Sequence, residues 1–184
     1  MKKYAQDFAL LLTYVTLVIL TRTVFHIDSN VEFIIGTSLC AGYFFKHKKL
    51  SLLVPISSLV ISDFIIGNSM IFIFTWTGFT IVPMIGAIIK KYFSPFSIQF
   101  GGIISTVIFF LWTNFGVVLT TSMYPKTIEG LGQSYINGLP FITNQLAGNL
   151  IIVPALFVFT YALININFKL KFDKVKNILI KPKF

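Results

Sequence analysis

The chain has few charged residues and almost no cysteine. Of its 184 residues only 11% are charged, and Cys40 is the single cysteine. One cysteine can form neither an internal disulfide nor a cysteine-based metal site. The sequence also lacks a Gly-rich phosphate loop, an HExxH motif, a paired acidic motif for metal-bound pyrophosphate, and a Ser elbow with a matching His. Because Asp63 is the one carboxylate inside an apolar segment, we predict no enzyme, no catalytic residue, no metal and no cofactor.

Apolar residues are what the chain has in abundance. They make up 55% of the sequence, and the mean hydropathy is +0.84. They come in long uncharged blocks, which is typical of helices that cross a bilayer. Six such blocks run from Phe8 to Thr21, Phe33 to Phe45, Leu50 to Gly67, Met70 to Ile89, Phe96 to Leu119 and Leu139 to Ile166. The pattern predicts an all-α integral membrane protein with six transmembrane helices.

The basic residues predict the orientation of these helices. With the N-terminus inside, thirteen of the fifteen basic residues fall on the cytoplasmic side, and only Arg22 and Lys126 fall outside. The inner residues are Lys2, Lys3, Lys46, Lys48, Lys49, Lys90, Lys91 and six lysines from Lys169 to Lys183. This distribution follows the positive-inside rule. We therefore predict a multi-pass protein of the cell (inner or cytoplasmic) membrane with both termini in the cytoplasm.

The same positions argue against a nucleic-acid partner, despite a net charge of +9. The lysines lie in short clusters between apolar blocks and in the tail, rather than on one face of a folded domain. We predict one six-helix domain over residues 1–168 and a basic cytoplasmic tail over residues 169–184, with the lipid bilayer as the main surroundings. The connection from Thr120 to Gly138 is predicted to be a long outer loop, which is usually functional or mobile.

Asp63 is the first candidate for a functional residue. Charged side chains inside a membrane are costly and are usually functional or paired. Asp63 falls toward the outer end of the third helix, just before Asn68, and its best partner is Arg22 at the outer end of the first helix. Arg22, Asp63 and Asn68 are predicted to contact a substrate. The alternative is a purely structural ion pair.

A second group of candidates combines aromatic rings with an amide. Trp112 and Asn114 lie late in the fifth segment, and Tyr124 and Tyr135 follow in the predicted outer loop. Flat apolar faces beside an amide suit a planar, hydrogen-bonding ligand. The alternative is an interfacial aromatic belt, which membrane proteins have in any case.

The sixth segment carries three amides, Asn144, Gln145 and Asn149. Gln145 and Asn149 are four residues apart and share one helix face. Amides in membrane helices usually bond across to other helices, so we assign these two to helix packing and predict that Asn144 reaches a substrate pocket. In the first segment, Ala5 and Ala9 have the small-xxx-small spacing that lets another helix approach closely.

Several motifs, in a fixed order, resemble a family of uncharacterised bacterial membrane proteins. They are Ser62-Asp63-Phe64-Ile65-Ile66-Gly67, Thr113-Asn114-Phe115-Gly116-Val117, Met123-Tyr124-Pro125-Lys126-Thr127, Gly130-Leu131, Tyr135, and Leu139-Pro140-Phe141 with Asn144 and Gly148. The resemblance covers about Arg22 to Phe159. Asn149 departs from the family pattern, in which we expect an Asp.

That family is in turn similar to the substrate-binding S components of energy-coupling factor (ECF) transporters. The resemblance implies an S-component-like six-helix bundle that takes up a small vitamin-like or cofactor-precursor molecule through a pocket at the outer side. It also implies docking through Ala5 and Ala9 onto a membrane T component that carries ATPase subunits. Two other readings stay open: a structural or assembly protein without a small ligand, and a solitary permease that works without ATPases.

Overall fold

The computed structural model describes residues 2–25, 31–92 and 95–180, and over this part of the chain the fold is entirely helical. The helices are α1 (Lys2–Thr23), α2 (Ile34–Phe44), α3 (Lys48–Ile66), α4 (Phe72–Ile89), α5 (Pro95–Thr120) and α6 (Ile128–Ile180), with a short 3-10 turn at Lys90–Tyr92. The predicted all-α class is confirmed. No strand occurs in the described residues.

Five of the six α-helices are long and apolar enough to cross a membrane, and α2 is the exception. At 1.5 Å per residue, its 11 residues cover about 16 Å, roughly half of a hydrocarbon core. α2 is nevertheless the most enclosed helix, since every residue from Ile34 to Tyr43 is buried. It forms the centre of the bundle, and its neighbours α3, α4, α5 and α6 pack around it.

Two glycines allow α2 and α4 to pack with their backbones in contact. A Cβ atom on Gly42 of α2 would lie 1.9 Å from the carbonyl oxygen of Pro83 in α4. A Cβ atom on Gly86 of α4 would lie 2.1 Å from the carbonyl oxygen of Leu39 in α2. Small residues commonly permit such close approach between membrane helices. The α2–α4 crossing therefore depends on glycine from both sides.

The connection between α2 and α3 is attached to the start of α1 by a buried carboxylate. Asp7 is 1% exposed, and its Oδ2 accepts hydrogen bonds from the backbone N–H of Lys46 at 3.0 Å and of His47 at 2.9 Å. His47 Nδ1 lies 2.8 Å from the same oxygen, and its ring stacks on Tyr4. The N-terminal part of α1 and the predicted inner loop therefore lie at one end of the bundle.

The prediction of a long outer loop from Thr120 to Gly138 is wrong for most of these residues. α6 begins at Ile128, so only residues 121–127 connect it to α5. Two glycines in this stretch have packing roles: a Cβ atom on Gly138 would lie 2.7 Å from Phe110 Cε2, and one on Gly130 would meet the Pro125 carbonyl oxygen. Both glycines lie within α6, where the missing side chain leaves space for a neighbouring atom; neither glycine forms a turn.

The first and last helices also extend past the predicted blocks. α1 has 22 residues, so the first segment is long enough to span, which its apolar stretch alone did not show. α6 continues without a break through residue 168 to Ile180, so most of the predicted basic tail is helical. Residues 181–184 lie outside the described part, and the predicted domain boundary stays a prediction.

Candidate functional site

Arg22 is the centre of a polar cluster where α1, α3 and α4 meet at the end of the bundle opposite Asp7. Its Nη2 lies 3.1 Å from Oδ1 of Asp63, and its Nη1 donates to Ser62 Oγ at 2.9 Å. The indole Nε1 of Trp76 donates to the other Asp63 oxygen at 2.8 Å. The Arg22 and Asp63 side chains are 10% and 9% exposed. The predicted pairing of Arg22 with Asp63 is confirmed.

Glu32 adds a second carboxylate that the sequence interpretation missed. It lies just before α2, and its Oε1 is 3.5 Å from Arg22 Nε. Burial raises the pKa of the Glu32 carboxyl above its usual range, Arg22 opposes that rise, and Asp63 adds to it. One guanidinium thus lies between two carboxylates. Glu32 was missed because it precedes a short apolar block and has no local motif around it.

A cavity of about 420 Å³ lies beside this cluster. Its walls combine the ion pair with the connection between α3 and α4. The lining residues are Arg22, Asp63, Ile66, Gly67, Asn68, Ser69, Ile71 and Thr75. We call this the ion-pair cavity. It brings together three of the predicted substrate-binding residues, Arg22, Asp63 and Asn68.

Gly67 shapes the turn that forms one wall of the ion-pair cavity. It ends α3 with φ +85° and ψ 165°, a backbone conformation that is essentially restricted to glycine. A Cβ atom there would meet nothing within 4 Å, so the requirement is conformational and not steric crowding. The turn places Asn68 and Ser69 on the cavity wall, where Asn68 Oδ1 accepts from Ser69 N at 2.8 Å.

A second cavity, of about 290 Å³, lies between α5 and the first part of α6. Its lining is mostly apolar and aromatic. The lining residues are Ile71, Phe109, Phe110, Thr113, Asn114, Val117, Met123, Tyr124, Ser134, Asn137, Gly138, Phe141, Ile142 and Gln145. We call this the amide cavity. Ile71 lines both cavities, so they adjoin each other.

Asn114 and Tyr124 are the predicted substrate-binding residues that line the amide cavity. Asn114 Nδ2 donates to the Phe110 carbonyl at 2.9 Å, and its Oδ1 accepts from Ser134 Oγ at 3.1 Å. Tyr124 accepts a hydrogen bond from Asn137 Nδ2 at 3.3 Å, which leaves its hydroxyl hydrogen available for another acceptor. Asn114 is therefore held in place by the protein, while Tyr124 retains a donor.

Three predicted site residues line neither cavity. Trp112 donates to Thr77 Oγ1 at 2.8 Å and packs on Phe74, at the surface of the bundle. Tyr135 donates to the Leu111 carbonyl at 3.3 Å. Asn144 is exposed on the outward face of α6. The structure does not bring these residues together with the others.

Gln145 takes the position that the sequence interpretation gave to Asn144. It is 8% exposed, it lines the amide cavity, and it makes no hydrogen bond to any described residue. Asn149, one turn further on, donates to Thr106 Oγ1 of α5 at 3.0 Å. The predicted packing role is confirmed for Asn149 but not for Gln145. A difference of one residue on α6, about 100° around the axis, separates the exposed amide from the buried one.

Ala5 and Ala9 are exposed on α1, on the same side as Phe8 and Leu12. The described helices of this chain leave that face uncovered, so it is available to lipid or to another protein. The helices that do approach closely within the chain are α2 and α4, through Gly42 and Gly86.

Together, the two cavities offer a charged region and an uncharged region next to each other, on either side of Ile71. A carboxylate pair with one guanidinium can hold a polar or charged group, and the aromatic walls of the amide cavity can hold a ring. Among the residues that the structure describes, no group of three or more His, Cys, Asp and Glu side chains is arranged to hold a metal ion.

A family model matches residues 2–171 of the chain, and its description is "family of unknown function (DUF6580)". The match covers nearly the whole chain, so the chain belongs to this family. No curated protein and no solved structure matches the chain.

Proposed function

We propose that this DUF6580 protein is a membrane-embedded substrate-binding subunit for the uptake of a small vitamin-like or cofactor-precursor molecule. It lies in the cell membrane with six spans, as an S-component-like bundle with both termini in the cytoplasm. Its short helix α2 counts as one of the six because it lies inside the bundle, where other helices and not lipid surround it. The basic residues near Asp7 and His47 support a cytoplasmic position for that end.

The observation that carries this proposal is the pair of adjoining cavities at the end of the bundle opposite Asp7. The ion-pair cavity contains Arg22 and Asp63, and the amide cavity contains Asn114 and Tyr124. Ligand sites are typically concave, largely apolar and supplied with a few convergent polar groups. In the proposed orientation this end faces outward, where a substrate would arrive. Tyr124 and Met123, in the short α5–α6 connection, would cover the bound molecule.

Energy for uptake would come from partner ATPase subunits, through a membrane T component. The sequence has no Gly-rich phosphate loop of its own. The uncovered face with Ala5 and Ala9 is the proposed docking surface for the T component. Replacing both alanines by leucine should abolish co-purification with such a component while leaving ligand retention unchanged.

The experiment that tests the proposal is mass spectrometry of small molecules released from the protein after purification in mild detergent. Asp63→Asn is the test variant and Asp7→Asn is its matched control. Both changes remove a buried carboxylate, at opposite ends of the bundle. We expect one compound to be retained by the wild type and the control, and lost from folded Asp63→Asn.

Other outcomes would favour the other readings. If no compound is retained and no ATPase module associates, the protein is better explained as an assembly protein. If a compound is retained and transported in cells that lack any T component, the protein is a solitary permease. In either case the proposed subunit function is wrong.

A further inference from the structure

Among the described polar side chains that line the amide cavity, Gln145 is the one that makes no hydrogen bond to the protein. The side chain is 8% exposed, lines the amide cavity and bonds to no described residue. Its neighbours show the usual outcome: Asn149 bonds to Thr106, and Asn114 bonds to Phe110 and Ser134. A mostly buried amide gains from each hydrogen bond that it makes. The Gln145 amide is reachable from the cavity and has no bond to a described residue, so a molecule in the cavity can bond to it.

The chemistry of the cavity wall restricts that occupant. Among the residues that the structure describes, no Lys, Arg, Asp, Glu or His lines the amide cavity. A charged group placed there would lose its hydration without gaining an ionic partner. The rings of Phe109, Phe110, Phe141 and Tyr124 favour a flat apolar body. A volume of about 290 Å³ is at the lower end of the range for ligand pockets, which suits one or two fused rings.

We propose that the amide cavity binds an uncharged planar heterocycle that carries a ring amide, paired with the side chain of Gln145. The carboxamide of Gln145 presents one acceptor and a donor group, so a ring amide with adjacent N–H and C=O forms two hydrogen bonds with it. The Tyr124 hydroxyl supplies a further donor at the cavity wall. This inference rests on the proposed binding function and specifies the class of molecule that the site accepts.

The test measures binding of three matched ring compounds to the purified full chain by calorimetry. Quinolin-2-one is the neutral ring amide. Its 1-methyl derivative lacks the N–H donor, and quinoline-2-carboxylate has the same rings with an anionic group. The variants are Gln145→Leu and its control Asn144→Leu, which makes the same kind of change one residue away on the exposed face of α6.

We expect saturable binding of quinolin-2-one to the wild type and to Asn144→Leu, and at least tenfold weaker binding to Gln145→Leu. Methylation should weaken binding to the wild type by a similar factor and cause little further loss in Gln145→Leu, because both changes remove the same interaction. Quinoline-2-carboxylate should bind least. If Gln145→Leu does not fold, the comparison of the methylated and parent compounds on the wild type carries the test.

Three results would overturn the inference: no saturable binding of quinolin-2-one, equal binding to Gln145→Leu and wild type, or preference for the carboxylate. None of them decides the proposed function. A compound retained from cells and lost in Asp63→Asn would keep that function even if the ring-amide class is wrong. If nothing is retained from cells but quinolin-2-one binds through Gln145, the cavity is a ligand site of another kind.

Discussion

Replacing Arg22 by methionine should destabilise the bundle strongly, and removing the charge of Asp63 at the same time should recover much of that loss. Arg22 Nη2 and Asp63 Oδ1 are 3.1 Å apart in surroundings where both side chains are about nine-tenths buried. At an effective dielectric constant of 20 the direct attraction is about 5 kcal/mol, before the cost of removing both ions from water is subtracted.

Arg22→Met leaves the Asp63 carboxylate buried, and among the described residues the Trp76 N–H is then its one remaining partner. Breaking a buried pair from one side typically costs about 3–5 kcal/mol. In Arg22→Met with Asp63→Asn, the asparagine oxygen still accepts from Trp76 and no carboxylate is stranded at this position. We therefore expect the double variant to be more stable than the sum of the single changes predicts, by about 2 kcal/mol.

The assay is reversible unfolding of the purified protein in mixed micelles, for the wild type, both single variants and the double variant. Arg22→Met combined with Asp7→Asn is the control, since Asp7 lies at the other end of the bundle and should not couple to Arg22. Additivity of the Arg22 and Asp63 changes within about 0.5 kcal/mol would refute the reasoning. Ligand retention tests a second role of the pair: a double variant that is stable but retains no compound shows that the Arg22–Asp63 pair acts in binding as well as in folding.

Three further predictions test other parts of the bundle. Gly42→Ala should lower the free energy of unfolding by about 1–3 kcal/mol, because its Cβ would meet the backbone of Pro83. Gly132→Ala is the control and should cause no such loss, because there is open space around Gly132. Chemical denaturation measures the free energy of unfolding of both variants. The pKa of the Glu32 carboxyl is raised in the folded protein, so its contribution to stability is present below the ordinary Glu pKa and is lost as pH rises through the folded-state pKa. The melting temperature should therefore fall less steeply with rising pH in Glu32→Gln than in the wild type. An unchanged dependence of the melting temperature on pH would contradict this. Asp7→Ala should lower the free energy of unfolding by about 3 kcal/mol in the same denaturation assay, because the Asp7 carboxylate accepts hydrogen bonds from two backbone N–H groups. It should also expose the α2–α3 connection to proteolysis. Unaltered cleavage would count against this role of Asp7.

The sequence was sufficient to predict the helices because long apolar blocks leave few other structures possible in lipid. The pairing of Arg22 with Asp63 was predictable for a related reason. An acid inside an apolar segment needs a partner, and only Arg22 was a basic residue at the matching end of another helix. Both inferences depend on the high cost of exposing polar groups to hydrocarbon, which acts at every position.

The orientation of side chains around each helix was not predictable in the same way. In a membrane bundle the lipid-facing side and the core-facing side are both apolar, so the usual difference between helix faces is lost. Asn144 and Gln145 illustrate the consequence, since nothing in their sequence neighbourhood shows which of the two faces the cavity. Gly130 and Gly138 illustrate another: glycine signals a turn in one context and close helix packing in another, and only the position of Pro125 or Phe110 distinguishes the two.

The two adjoining cavities do not carry the same weight as indications of a ligand. In the ion-pair cavity, Asp63 bonds to Arg22 and Trp76 within the chain, so folding alone accounts for that arrangement. In the amide cavity, the Gln145 side chain is 8% exposed and makes no hydrogen bond to a described residue, so contacts within the protein do not account for an amide at this position. Selection for stability alone would favour an apolar side chain there, of similar size to glutamine. A bound molecule supplies the missing partner, which is why Gln145→Leu should raise the stability of the ligand-free protein while it weakens binding.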